Sequence, residues 1–244
     1  NGITVDNLSK SFGRHIVFDA CSFEVRPGSI FGLVGLNGAG KTTLIKSILG
    51  LVRPERGDIF IMNQSIRDQW EYRKFIGYMP QAARFPENLN LKELLELIKD
   101  LRRDTYATDH ELFDVFALEK EIDKPLRTLS GGTRQKVAAV LAFLFTPEIL
   151  ILDEPTAGLD PLSSCCLKDK ILKERANGKT IVLTSHIMSD LEEVADNVVI
   201  LMEGNVFYEG TIKEILSVGK ETKLERAIAK MMKGLEVWTA LQKF

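Results

Sequence analysis

Nine residues, Gly35-Leu36-Asn37-Gly38-Ala39-Gly40-Lys41-Thr42-Thr43, constrain the fold more than any other stretch of this 244-residue chain. The apolar run Ile30-Phe31-Gly32-Leu33-Val34 leads into them, and Leu44-Ile45-Lys46-Ser47-Ile48-Leu49 leaves with a helical pattern. A strand, a glycine-rich loop, then a lysine and a hydroxyl opening a helix is the arrangement of a phosphate-binding P-loop, or Walker A motif. Glycines at 35, 38 and 40 let the backbone take conformations closed to other residues and come close to a polyphosphate. The first N–H groups of the following helix lack partners and carry the positive end of its dipole. Lys41 adds an ammonium for the β and γ oxygens and Thr42 a hydroxyl for Mg²⁺, while Thr43 reads as a helix residue. The loop implies a nucleoside triphosphate as ligand without choosing among the protein classes that bind one.

Composition narrows the choice. Lys and Arg total 32 against 34 Asp and Glu, a net charge of -2, so no global basic field recruits nucleic acid or anionic lipid. The longest apolar stretch, residues 137–145, is well short of the roughly 18–20 residues of a membrane span. No signal-peptide pattern opens the sequence, which starts at Asn1 rather than Met, so residues before it are expected. Cys21, Cys165 and Cys166 have neither disulfide-framework nor zinc-ligand spacing and suit a reducing compartment. Neighbouring helical side chains point about 100° apart, so Cys165 and Cys166 are expected as small buried hydrophobes rather than a soft-metal pair.

Residues 3–8 alternate like a strand, and 16–25 read as a second, irregular at Asp19-Ala20. Pro27-Gly28 turns the chain into the P-loop strand; Arg53 to Gly57 form a turn and 58–62 a returning strand. Residues 75–79 form another short strand. From about 82 to 134 the pattern becomes helical, with Leu91, Leu94, Leu95, Leu97, Ile98 and Leu101, then Leu112, Val115, Phe116 and Leu118. Arg102-Arg103-Asp104 reads as a solvated helix end. Ser130-Gly131-Gly132 opens a helix apolar nearly all round over 137–145, hence buried. Residues 149–152 and 181–183 are continuous apolar runs, as parallel strands covered on both faces require. A hairpin is expected across Glu203-Gly204-Asn205, a capping box at Thr211-Ile212-Lys213-Glu214, and an amphipathic tail from 222 to 232.

Asp153-Glu154 ends the run 149–152, where ligands bind in open α/β sheets. Asp153 suits Mg²⁺ coordination, and Glu154 is a second carboxylate placed to polarise an attacking water. His186 follows the next parallel strand on the same edge as Lys41 and Glu154, which points it at a γ-phosphate; His15 and His110 have no such setting. Ser130-Gly131-Gly132-Thr133 is a helix N-terminus with a capping serine, a second anion-binding device.

Placed about twenty residues before a strand that ends Asp153-Glu154-Pro155-Thr156, that loop makes the sequence resemble the nucleotide-binding subunits of ATP-binding cassette (ABC) transporters over nearly its whole length. The resemblance implies an α/β chain with a P-loop NTPase (RecA-like) core, residues 1–81 and 135–220. A small antiparallel β-subdomain falls in the first ~65 residues, a helical signature subdomain at 82–134 and an amphipathic tail at 221–244. It also implies roles. Phe12 stacks on adenine, Gly35 to Thr43 (Asn37 and Ala39 included) hold phosphate, and Thr42, Gln81 and Asp153 serve Mg²⁺. Glu154, His186, Lys41 and Gln81 act in ATP hydrolysis. Ser130, Gly131 and Gly132 meet the ATP of an opposite subunit, and Asp160, in Gly158-Leu159-Asp160, crosses the dimer interface. Thr133 stands where glutamine is commoner. The implied machine is a head-to-tail homodimer sandwiching two ATP and driving an integral membrane permease from the cytoplasmic face of the inner membrane, with no nucleic acid.

The tail over 223–230 is similar to that of ABC-2-type export ATPases, and 78–81 with 84–89 is similar to ATPases of the copper-processing system that matures nitrous-oxide reductase. The alternatives run from a non-transport ABC ATPase on a ribosome or nucleic-acid complex, through a P-loop kinase or GTPase, to a purely structural or regulatory ATP-binding subunit. One cassette and balanced charge weigh against the first. The missing Asn-Lys-x-Asp guanine reader and the presence of Ser130-Gly131-Gly132 weigh against the second, and Glu154 with His186 against the third.

Overall fold

The computed structural model describes residues 2–102 and 107–241, with side chains as far as Lys233. β1 (Ile3–Phe12) and β2 (His15–Val25) pair antiparallel. Their register slips between Leu8–Cys21 and Lys10–Phe18, and Ala20 takes φ +56°, which is the irregularity expected at Asp19-Ala20. β3 (Ile30–Gly35) runs into the P-loop and α1 (Lys41–Ile48) leaves it. β4 (Arg56–Ile61) and β5 (Gln64–Ser65) complete a four-stranded antiparallel sheet in the order β2-β1-β4-β5. Met62 lies just outside β4, at φ +54°.

β6 (Ile76–Met79) follows a 3-10 turn, Glu71–Phe75, that takes in Phe75. The chain then turns helical through α2 (Leu91–Arg102), α3 (Glu111–Val115) and two 3-10 turns, Leu118–Glu121 and Leu126–Thr128, before α4 (Gly131–Phe143). β7 (Ile149–Asp153), α5 (Pro161–Ala176), β8 (Thr180–Thr184), α6 (Met188–Val194), β9 (Asn197–Met202), β10 (Asn205–Thr211), α7 (Ile212–Gly219) and α8 (Leu224–Leu241) finish it. The second sheet runs β10-β9-β3-β8-β7-β6, parallel from β9 to β6, with β10 as an antiparallel edge. All five residues of β7 and of β8 are buried, as continuous apolar runs demand.

This sheet divides the interior. One face packs with α1 and the four-stranded sheet through Ile3, Phe18, Phe31, Leu44 and Ile45. The other packs with the helical stretch, α4, α5 and the tail through Leu91, Phe113, Val137, Leu167 and Ile228. The tail therefore docks on its own chain, and the Thr211–Glu214 capping box is formed. Among the described residues no helix is long and apolar enough to cross a membrane.

Three expectations need correction or bounding. Cys165 is exposed and Cys166 half-buried; only Cys21 is buried, and burial pushes its thiol up to about 11. The buried face of α5 is Ser163, Leu167, Lys170, Ile171 and Glu174, which turns Cys165 outward. Leu97, Leu101 and Val115 share helical spacing with core residues yet lie exposed. Arg102 sets its guanidinium 4.6 Å from the Phe145 ring centre, while Arg103 and Asp104 lie outside the described residues.

Candidate nucleotide site

The site is assembled from the carboxyl ends of three adjacent strands. β3 delivers the P-loop, β7 delivers Asp153 and Glu154, and β8 between them delivers Thr184 and then His186. Gly40 caps α1 at φ +100°, and a Cβ there would stand 2.5 Å from the Phe18 ring, so the position takes only glycine. No side chain caps α1, and its first residues, Lys41, Thr42 and Thr43, line the cleft described next. Lys41 Nζ donates to the carbonyls of Gly35 at 2.6 Å and Leu36 at 3.2 Å, drawing the ammonium across the loop. Burial lowers the Lys41 pKa, with Glu154 and Asp153 acting against that shift.

A cleft of about 370 Å³ is lined by Phe12, His15, Val17, Asn37, Gly38, Gly40, Lys41, Thr42, Thr43, Gln81, Asp153 and Glu154. It shares Asn37, Lys41, Gln81 and Glu154 with a neighbouring cleft of about 590 Å³ that adds Gly35, Ser185, His186 and α8 residues Glu225, Ile228, Ala229 and Met232. Ala39 lies buried under the loop. Phe12, 53% exposed, lines the cleft with Lys10 Nζ over its ring, 5.0 Å from the centre. His15, which the sequence left without a role, lines the same cleft, carried there by the β1–β2 hairpin.

The two acids are held differently. Asp153 is 4% exposed; burial raises its pKa, and the Thr184 hydroxyl, donating to Oδ1 at 2.6 Å, pulls it back. Glu154 adopts φ +54°, a conformation sparsely populated outside glycine, of the kind that clusters at functional sites. Its N–H donates to the Thr184 carbonyl at 3.2 Å and hydroxyl at 3.0 Å. Its Oε2 accepts the His186 N–H at 3.1 Å and lies 2.5 Å from His186 Nδ1. Against a carboxylate, Nδ1 must carry the hydrogen, so Nε2 is the ring atom left to face the cleft.

Ser130, Gly131 and Gly132 are not among the residues lining either cleft. Ser130 caps α4 by accepting the Thr133 N–H at 3.1 Å, and its hydroxyl meets that of Thr133 at 2.8 Å. Asp160 caps α5 through Ser163 and pairs with Lys136 at 2.8 Å, which holds its carboxyl well below the usual range. Gln135 and Thr184, both in bonding contact with the Asp153–Glu154 pair, were invisible as site residues in the sequence.

For Mg²⁺, Thr42, Gln81 and Asp153 offer a hydroxyl, an amide and a carboxylate around one cleft, the hard oxygen donors that ion prefers. Among the described residues no three His, Cys, Asp or Glu cluster to hold a metal by themselves.

A glycine cradle at a helix start, two acids two strands away and a histidine beyond the strand between them define a P-loop nucleoside triphosphatase. The model of the ABC transporter family matches residues 18–157. The Nod factor export ATP-binding protein I of Ralstonia nicotianae is 32% identical over 220 residues, 88% of this chain and 68% of that protein. Across curated relatives of this kind the chain spans 60 to 88% of the other protein's length. A solved ATP-binding subunit of an ABC transporter superposes with TM-score 0.87 at 33% identity, covering 95% of this chain and all of that one. A cassette dimer described as a post-hydrolysis state bound to ADP and Pi shares the fold, with TM-score 0.77 at 23% identity over 86% of this chain and 98% of that one. The chain belongs to the ABC transporter family as an ATP-binding subunit, an ABC-type ATPase.

Proposed function

We propose that the chain works as a homodimer that closes head-to-tail on two ATP molecules and moves a separate membrane permease. The observation that carries this reading is a separation within one chain. The phosphate cradle and both acids share one cleft, while the second anion-binding device, the cap at Ser130, stands outside it. A helix N-terminus so placed is available to a phosphate held by another copy.

In the proposed reaction Phe12 stacks on adenine, and the N–H groups of residues 35–43 with Lys41 hold the phosphates. Glu154 takes a proton from water as its oxygen attacks the γ-phosphorus, the bond from that phosphorus to the bridging oxygen breaks, and ADP leaves with its electron pair. His186 holds the carboxylate in place and turns Nε2 to the γ-phosphate. Thr42, Gln81 and Asp153 would hold Mg²⁺, which supplies charge neutralisation on the phosphate oxygens. Asp160 would lie at the contact between copies.

Residues 82–134 would carry the signature loop and, with Gln81, pass dimer closure to the permease at the cytoplasmic face of the inner membrane. The name of the Ralstonia relative supports export as the direction. The copper-processing reading rests only on the segments 78–81 and 84–89. Light scattering on Glu154→Gln protein, with and without ATP, tests the dimer. Turnover slowed about 10²–10⁴-fold preserves the nucleotide, and a shift from monomer to dimer only with ATP is the expected result. A monomer at saturating ATP, even with co-purified permease, would sink the composite site.

A further inference from the structure

The helix that begins at the signature loop touches the segment after β7 at three places. Gln135, buried on α4, donates from Nε2 to the main-chain carbonyl of Glu154 at 3.3 Å. One residue on, Lys136 pairs with Asp160 at 2.8 Å. In the first turn, a Cβ on Gly132 would stand 3.0 Å from the Gly158 carbonyl, so the two backbones pass with almost no gap. Residues 154–160 thus lie along the opening turns of α4, the helix capped by Ser130.

The other fastenings of Glu154 come from elsewhere. Its N–H is held by Thr184, at the end of β8, and its carboxylate by His186 just beyond that strand. The Gln135 amide is what bonds it to α4. The Glu154 carbonyl already accepts the Ala157 N–H at 3.1 Å, so it does not need a second donor to avoid being left unpaired. The amide of Gln135 therefore serves to locate that carbonyl. Among the buried residues of α4, which include Val137, Ala138, Ala139 and Val140, Gln135 is the polar one, and its amide makes that contact.

We infer that Gln135 is a positioning residue for hydrolysis, tying α4, and with it the signature loop, to the backbone of Glu154. The inference rests on Glu154 as the base proposed above. A displacement of α4 by about an ångström would either break this bond or carry Glu154 with it, and misplacements of that size cost up to about 10²-fold in rate. The site that meets a partner's phosphate would then set the geometry of the base in its own chain.

The test is steady-state ATP hydrolysis by full-length Gln135→Met, which keeps length and volume but cannot donate. Because no backbone group is orphaned, its thermal midpoint should stay within a few degrees of the parent. We expect kcat to fall roughly tenfold or more with KM for ATP within about twofold, since binding groups are untouched. Gln135→Met combined with Glu154→Gln should be no slower than Glu154→Gln alone, because residues acting as a unit are not additive. Gln135→Asn, which withdraws the amide by one methylene, should lose turnover likewise and supplies the test if methionine is not tolerated.

Parental kcat in either folded variant overturns the proposal. So does a raised KM with unchanged kcat, or a double variant slower than Glu154→Gln by the full single-variant factor. Parental turnover in Glu154→Gln would instead remove the base assignment itself, whatever Gln135→Met does.

Discussion

The Thr184 hydroxyl does two things at once, donating to Asp153 at 2.6 Å and accepting the Glu154 N–H at 3.0 Å. Thr184→Val keeps the shape and removes both bonds. The Glu154 N–H retains the Thr184 carbonyl, but buried Asp153 loses its donor. The expected loss is about 1–3 kcal/mol in denaturant unfolding, because an acceptor is left short in the interior. ATP turnover should fall with it, since both acids shift. At this scale the sequence was legible wherever chemistry was local. Ser130 caps the helix it begins, and Thr211 with Glu214 closes its box, because each bond spans three residues. Gln135, Thr184 and His15 reach the site across 19, 30 or more positions or by way of a hairpin, so no spacing rule announces them.

Among the elements, α5 and the start of α3 are joined by a buried cluster of charge. Lys170 Nζ, on a side chain 3% exposed, contacts Asp109 at 2.5 Å, Glu111 at 2.7 Å and Glu174 at 2.8 Å. Burial acts to lower the Lys170 pKa, and the three carboxylates outweigh it, so the net shift is upward. Burial likewise acts to raise Asp109, and the bonds from Lys170 and the Glu111 N–H bring it below the usual range. The Lys170 and Lys173 ammonium groups lower Glu111. Lys170→Met removes the ammonium the three acids share, leaving Glu111 with Lys173 and Glu174 with Lys179, and should cost about 1–3 kcal/mol, read from chemical denaturation. Carboxyls depressed in the folded state add stability above their ordinary values, near pH 4, and lose it as pH falls through the folded values. The parent's loss of stability below pH 4 should therefore flatten in Lys170→Met. This cluster also explains why Cys165 was misread. The buried stripe of α5 contains Lys170 and Glu174, so apolar periodicity cannot find that face. The strands fared better, because β7 and β8 are apolar on both sides and a continuous run has one reading.

For the molecule as a whole, the phosphate loop, the histidine and the acids hang from β3, β8 and β7, three neighbours in one sheet. Val182, in the middle strand and 2% exposed, belongs to the core on the P-loop side. Val182→Ala should lower unfolding stability by roughly 2 kcal/mol, measured by denaturant titration, and leave KM for ATP within about twofold. The reason lies in the backbone. Neighbouring strands stand about 4.7–4.9 Å apart, a pitch fixed by main-chain hydrogen bonds whatever side chains lie above and below. Lys41 and Glu154 are thus mounted like teeth on a comb, two pitches apart with His186 on the tooth between. Repacking the core can loosen the handle of that comb without changing its gauge, so sequences of this architecture can drift widely inside while still measuring the same polyphosphate.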